Sequence, residues 1–444
     1  MPTNCCTKTN ALTSNLPDYP AFEAYLNSLG LFHMEFGLQR MEAALAALSL
    51  TTLPHLAVQV VGTNGKGSTG AFLTALLAAH GLPTGLYLSP HFISVRERML
   101  MAGNQLAEAD WLQAANAVLA ATAPFGEKGR LTYFELLTVM AAWLFTQQGA
   151  EAAVYEAGLG GAGDATTALS RDIVLFAAIG MDHAAVIGPT QADIALDKAR
   201  AMRPGIQAVT GPQTPEVMEV LQDEADRLGV RLRKAAKLAD YDPERRRVIL
   251  RGQKHLVIPH VKLRLAGPHQ ARNAQLALAG FSLAAEALGI VPDPEAVRRA
   301  LAETFIPGRL HLLRLPGMTA RLLLDCAHNP PALTALHEAL VALGIRPSAM
   351  IFTCLADKDL DAIAPLAATL TTGPIFVPEL PGNSRARPAA MVAKALGNQA
   401  TIVADPAAAL AAVKDFSGIV LACGSMYLLA ALFPPAPVVS GQAK

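Results

Sequence analysis

Seven consecutive residues, Gly62, Thr63, Asn64, Gly65, Lys66, Gly67 and Ser68, hold the most specific chemistry in this chain. Gly62, Gly65 and Gly67 allow the backbone to wrap an anion without Cβ clashes. Lys66 adds a point charge for phosphate oxygens. The apolar run 56–61 ahead of them reads as a short strand, and residues 68–79, stopped by Gly81, read as a helix. That order aims backbone N–H groups and the positive end of a helix dipole at a phosphate. A plain glycine turn between strand and helix is the alternative. The match to the common GxxxxGK[ST] pattern is imperfect, since valine replaces the leading glycine and Gly67 takes the place of the hydroxyl after the lysine. A metal at this phosphate therefore needs another protein ligand. Ser68 and Thr69 stand near enough to touch phosphate or to cap the helix.

The elements that must position this loop alternate short apolar strands with longer helices. Residues 85–88 give a further strand after 56–61, and 152–155, 173–179 and 206–209 give three more. This rhythm predicts a mostly parallel sheet covered on both faces. Residues 19–50 read as helical, interrupted at 34–37. Between 231 and 265 the pattern turns charged and alternating, with strands at 248–250 and 255–258, which predicts a small antiparallel addition. A helix over 269–288 follows. Pro307, Gly308 and Arg309 then punctuate the chain before a second β/α series with strands at 322–326, 349–354, 374–377, 401–403 and 419–422. The expected organisation is a loose tail at 1–18, a phosphate-loop α/β domain at 19–304, a Rossmann-like α/β domain at 305–435 and a tail at 436–444.

At 444 residues two domains are the default. Formal net charge is zero, so no whole-protein basic field gathers nucleic acid or anionic lipid. No apolar run is long enough to span a membrane, although 52% of the residues are hydrophobic. Five cysteines, Cys5, Cys6, Cys326, Cys354 and Cys423, lack metal-ligand spacing, and their odd number argues against a disulfide framework. A reducing cytoplasm fits best.

Several further segments occur in a telling order: LSPHFISVRER (88–98), TYFE (132–135), YEAGLGGAGDAT (155–166), GMDHAAVIGPT (180–190), DKARAMRPG (197–205), HQARNAQLAL (269–278), PGRL (307–310), DCAHNPPAL (325–333) and GSMYLL (424–429). With GTNGKGS they resemble the folylpolyglutamate/dihydrofolate synthase branch of the Mur ligase superfamily over nearly the whole chain. The resemblance implies an ATP-dependent ligase, with ATP at Asn64, Gly65, Lys66, Gly67, Ser68, Asn273, Arg309 and Asp325. It implies Mg²⁺ held by Ser89, Glu156 and His183, each of which directly follows a predicted strand, where open α/β sheets place ligands. On residue type alone Ser89 also reads as a turn residue, Glu156 as a solvated acid and His183 as a helix cap.

By the same resemblance Lys198 is the lysine that becomes carbamylated and supports a metal near the γ-phosphate. An unmodified Lys198 on phosphate, or on a solvated helix face, is the alternative. His328 matches a histidine near the reaction centre, or else belongs to the start of the helix at Pro330. The pterin substrate is expected at Glu35, Phe36 and Gly37, at Thr132, Tyr133, Phe134 and Glu135, and at Gly163, Asp164 and Ala165. Phe134 offers a stacking face and Asp164 an acceptor for an aminopyrimidinone edge, although on residue type alone Phe36 and Phe134 read as core residues. The chain departs from the family pattern at Ala162, usually arginine, at Thr167, usually asparagine, and at residues 34–37, where an aspartate-led DLG is common.

The implied reaction joins L-glutamate to dihydropteroate or to the glutamyl tail of a reduced folate through an acyl phosphate, in a monomer without nucleic-acid or membrane partners. Another Mur-type amino-acid ligase, a phosphate-loop switch or kinase, and a silent folate- or nucleotide-binding relative remain as alternatives at this stage.

Overall fold

The computed structural model describes residues 15–30, 35, 37–251 and 255–433. Phe36, Cys5, Cys6, most of the N-terminal tail and the tail expected at 436–444 lie outside the described residues. The loose tail expected through residue 18 is corrected at its end. Leu16 is buried, and its backbone N–H and carbonyl pair with the Asn116 side chain at 2.6 and 2.9 Å. Asp18 then caps the first helix, Tyr19–Ser28.

Eight strands form the first sheet: β1 (Leu56–Val61), β2 (Thr84–Tyr87), β3 (Met99–Met101), β4 (Asn104–Gln105), β5 (Ala152–Glu156), β6 (Ile173–Phe176), β7 (Gln207–Thr210) and β8 (Leu232–Lys234). Their order is β4-β3-β2-β5-β1-β6-β7-β8, parallel except at the β2–β3 and β3–β4 pairs. The β3–β4 hairpin and β8 were not expected. β8 carries Arg233 and Lys234, so its charge hid an edge strand of the main sheet.

Successive side chains of a strand face opposite ways, and β5 shows the consequence. Ala153 and Tyr155 enter one core, with the helices Tyr19–Ser28, Gln39–Ala47, Glu108–Thr122 and Tyr133–Gln147. Ala152 and Val154 enter the other, against the helices Lys66–Ala79 and Pro268–Leu288. That second core also takes in β9 (Ala239–Asp242), β10 (Arg247–Arg251) and β11 (His255–Ile258), which form the antiparallel addition.

The second sheet contains β12 (His311–Arg314), β13 (Arg321–Leu324), β14 (Ala349–Phe352), β15 (Ile375–Pro378), β16 (Ala400–Val403) and β17 (Ile419–Cys423). Its order is β12-β13-β17-β14-β15-β16, and only the unexpected β12 runs antiparallel to its neighbour. Loops from the carboxyl ends of strands in both sheets converge on one cleft, the position where open α/β sheets bind ligands. No helix among the described residues is long and apolar enough to cross a membrane.

Candidate active site

The phosphate loop leaves β1 and enters the helix Lys66–Ala79 through Gly65, whose φ is +86°. Left-handed backbone alone favours glycine, and a Cβ at Gly65 would also overlap Asn273 Oδ1. The helix begins two residues earlier than its expected start. Ser68 and Thr69 therefore sit buried inside its first turn and do not cap it. The backbone N–H groups of Thr63 and Asn64 both donate to the Ala178 carbonyl beyond β6, at 2.9 and 3.1 Å. Lys66 Nζ donates to the Gly62 and Thr63 carbonyls at 3.1 and 3.2 Å, which holds the ammonium over the loop.

Glu156, at the end of β5, is not a solvated acid, because only 6% of it is exposed. Its Oε2 accepts the Ser89 N–H at 2.9 Å. Burial raises its pKa, and the Lys66 charge and that N–H pull it back down. A buried carboxylate with unused lone pairs beside a phosphate loop is suited to a cation. His183 occupies left-handed backbone at φ +53° and makes no side-chain cap. Burial pushes its imidazole pKa down to about 4 against the pull of Asp182, which favours the neutral, ligating form, and Lys358 Nζ lies 3.5 Å from its Nε2. Among the described residues no three His, Cys, Asp or Glu side chains form a metal site by themselves. Ser89, Glu156 and His183 line the same cavity and fit Mg²⁺ as a partial set, which phosphate oxygens and water would complete.

Lys198 is 2% exposed, so a solvated helix face is ruled out. Its Nζ donates to the Leu159 carbonyl at 2.8 Å, and burial, aided by the nearby Lys66 charge, brings its pKa down to about 8. Gly161 packs closely on the backbone of Asp197 and Lys198. Its N–H donates to Asp197 Oδ2 at 2.9 Å, and a Cβ there would overlap the Asp197 carbonyl. Only glycine lets the 158–164 loop lie flat on the helix Gln191–Ala199.

At the end expected for the pterin, Phe134 lies beside Tyr87, with ring centroids 5.8 Å apart, and lines the cavity with Thr132, Tyr133, Gly163, Asp164 and Ala165. Asp164 already accepts Leu159 N–H at 3.0 Å and Thr166 N–H and Oγ1 at 3.0 and 2.6 Å, which leaves room for about one more donor. Two expectations need correction. Glu135 lines the cavity, but Arg40 at 2.9 and 3.2 Å and the Thr132 N–H at 2.8 Å already engage both its oxygens, so its first role is to hold the wall. Gly37 is not brought to the cavity, unlike Glu35, whose carboxylate pairs with Arg40 at 2.9 Å. The departures Ala162 and Thr167 do not line it either. Thr167 Oγ1 faces the core and accepts from Gln59 Nε2 at 2.8 Å.

The second sheet supplies the opposite wall. Arg309 and Asp325 line it, and Asp325 is oriented by the N–H groups of Leu310 and Ala327 at 3.0 and 2.9 Å. Asn273, from the helix Pro268–Leu288, meets the phosphate loop. His328 donates from Nδ1 to the Cys326 carbonyl at 2.8 Å, while Asn329, not His328, caps the helix Pro330–Ala342. The whole cavity measures about 890 Å³.

Sequence reasoning missed Asp182, Lys358 and Arg98, which also line it. Asp182 Oδ1 meets Lys358 Nζ at 2.5 Å. Burial alone would raise the Asp182 pKa, but His328, His183 and Lys358 together hold it far below the usual carboxylate range. An acid next to His183 in a strand-end loop was the available signal.

The family described as Mur ligase, glutamate ligase domain, matches residues 308–426. A probable bifunctional folylpolyglutamate synthase/dihydropteroate synthase of Halobacterium salinarum is 32% identical over 69% of this chain, and the chain spans only 37% of that protein's length. A dihydrofolate synthase/folylpolyglutamate synthase of Escherichia coli is 30% identical over 76% of both chains. The solved structure of E. coli FolC in complex with DHPP and ADP superposes with a TM-score of 0.81 at 27% identity, covering 93% of this chain and 96% of that one.

Proposed function

The chain belongs to the folylpolyglutamate synthase/dihydrofolate synthase family of Mur ligases, and from that premise we propose that it uses ATP to join L-glutamate to dihydropteroate, to the glutamyl tail of a reduced folate, or to both. The observation that carries this reading is a single cavity lined at once by the phosphate loop, by Phe134 and Asp164 at one end, and by Arg309 and Asp325 from the second sheet. A switch or kinase has no need of that far wall.

In this reading the substrate carboxylate attacks the γ-phosphorus of ATP and ADP leaves, giving an acyl phosphate. The glutamate amino group then attacks the acyl carbon, phosphate leaves with a carboxylate oxygen, and the ammonium proton goes to solvent or to a nearby base. No side-chain nucleophile is needed. The chain contributes positioning and charge: the helix N-terminus and Lys66 bind the phosphates, Arg309 meets phosphoryl charge, and Asp325 accepts from ribose hydroxyls. Asn64, Gly65, Gly67, Ser68 and Asn273 complete the nucleotide site. Ser89, Glu156 and His183 would hold Mg²⁺, which when bound would neutralise charge at the phosphates. Phe134 stacks on the pterin and Asp164 accepts from its aminopyrimidinone edge. His328 stands at the junction of the two walls, where the amine must arrive. Closure of the two walls excludes water, which protects the acyl phosphate.

Lys198 enters as its carbamate. A neutral amine adds to CO₂ with loss of a proton, and a buried lysine with a pKa of about 8 is neutral far more often than an exposed one. The product is an anion, which turns the repulsion between Lys198 and Lys66 into attraction. Buried free thiols at Cys326, Cys354 and Cys423 support a cytoplasmic location, and a monomer is adopted from the family resemblance.

The reading is tested by supplying ATP, Mg²⁺ and L-glutamate with dihydropteroate or a reduced folate and following ADP release beside product mass. The expected product is heavier by one glutamyl unit, matched to ADP. ADP release with no such product removes the ligase reading.

A further inference from the structure

One corner of the cleft has interactions that the reaction scheme leaves unused. After β6 the chain turns at residues 179–183, and that turn is fastened to the phosphate loop by a reciprocal pair, Thr63 Oγ1 to the Gly180 carbonyl at 2.9 Å and Gly180 N–H to Thr63 Oγ1 at 3.1 Å. Loop and turn therefore move together. The turn presents Asp182 to the second sheet's loops. Its Oδ1 accepts Lys358 Nζ at 2.5 Å, and its Oδ2 accepts Asn329 Nδ2 at 2.8 Å. The Nε2 atoms of His328 and His183 each lie 3.7 Å from the same Oδ2. Both members of the ion pair are buried, with side chains 5% and 7% exposed.

Asn329 makes the corner self-consistent. Its Oδ1 caps the helix Pro330–Ala342 by accepting Ala332 N–H at 2.9 Å, and its amide pairs reciprocally with the phosphate-loop residue Asn64 at 3.1 and 3.2 Å. A Cβ at Gly180 would stand 3.0 Å from Pro331, so the two walls are already in van der Waals contact there. The Asp182–Lys358, Asp182–Asn329, Asp182–His328, Asn64–Asn329 and Gly180–Pro331 contacts all cross from the first sheet's loops to the second sheet's loops. A buried carboxylate that receives a lysine and an amide across such a boundary fixes one mutual arrangement, since shifting either wall leaves a buried charge unpaired.

We propose that Asp182 is a positioning residue, a post that seats the His328–Asn329–Lys358 corner of the second wall against the phosphate loop. It touches no reacting atom. It acts through Lys358 and Asn329, and because Asn64 shares Asn329, the phosphate loop is part of the same fastening. Removing Asp182 lets the second wall stand away from the loop, so the acyl phosphate forms on one wall while the amine binds at the other, out of register.

This inference uses the ligase reading only for its activity assay, and solution scattering tests it without any reaction. Asp182→Ala and Lys358→Met are each expected to enlarge the maximum dimension and radius of gyration of the full chain. Turnover in each is expected to fall about 100-fold, from misplacement of the reacting groups, with ADP affinity changed less than about threefold. The double variant falls no further than the worse single one, because both changes undo the same contact. Lys358→Arg restores part of the turnover. If Asp182→Ala fails to fold, Lys358→Met and Asn329→Ala, which change residues of the second wall alone, form the test pair with the same expectations for scattering and turnover. Scattering unchanged from the parent chain, or losses that multiply in the double variant, overturns the proposal. A chain that ligates nothing yet opens in Lys358→Met overturns the ligase reading and leaves the fastening standing.

Discussion

Lys66→Ala is expected to lower kcat by roughly 10³-fold, the scale of losing one preorganised charge from a phosphoryl transition state. Lys66 is the first residue of the helix Lys66–Ala79, and its ammonium donates to two loop carbonyls. Truncation removes those two bonds and leaves the apolar core of the helix intact, so the melting temperature should stay within a few degrees of the parent. The check is steady-state turnover at saturating ATP beside a thermal melt. Normal turnover in a folded variant would mean that the phosphate loop does not serve the reaction.

Lys198 is expected to show a comparable loss, with a chemical signature that Lys66 lacks. In Lys198→Ala, turnover should fall about 10²- to 10³-fold, and a short-chain carboxylate should restore part of it where an alkylamine does not. That pattern identifies an anion at residue 198. The reverse pattern identifies an ammonium and rejects the carbamate. The parent enzyme adds a pH test. Because the folded pKa of Lys198 is brought down to about 8 by burial and the Lys66 charge, the amine is mainly protonated below that pH and mainly neutral above it. Enzyme stripped of CO₂ should therefore regain activity faster above about pH 8 than below about pH 7 at equal dissolved CO₂. Recovery that is equal at both values would contradict the assignment.

What was legible in the sequence was local. A phosphate loop announces itself because strand, glycines, lysine and helix are adjacent in the chain, and the alternation of apolar strands with helices follows from a sheet covered on both faces. The family resemblance, and not residue type, pointed to cavity walls at Phe134, Asp164, Arg309 and Asp325, which the fold brings to one cleft. What stayed hidden was long-range. Asp182 and Lys358 stand 176 residues apart, and Arg40 and Glu135 stand 95 apart, so no spacing rule joins them. Glu135 illustrates the cost: the resemblance makes it a ligand, yet Arg40 and Thr132 already engage both its oxygens. Thr167 illustrates the converse, since a departure from the family pattern that pointed to the pterin is a core contact with Gln59. β8 was missed because an edge strand carries charge, and the β3–β4 hairpin because two- and three-residue strands have no period to detect.

The central claim is that a carboxylate is activated by phosphoryl transfer inside this cavity, and isotope transfer tests it most directly. Dihydropteroate or a reduced folate labelled with ¹⁸O in the reacting carboxylate is incubated with ATP, Mg²⁺ and L-glutamate, and the released phosphate is analysed by mass. An acyl phosphate predicts one ¹⁸O atom in each phosphate formed with product. Unlabelled phosphate accompanying ADP would contradict the account, because the carboxylate oxygen would then never have met the γ-phosphorus.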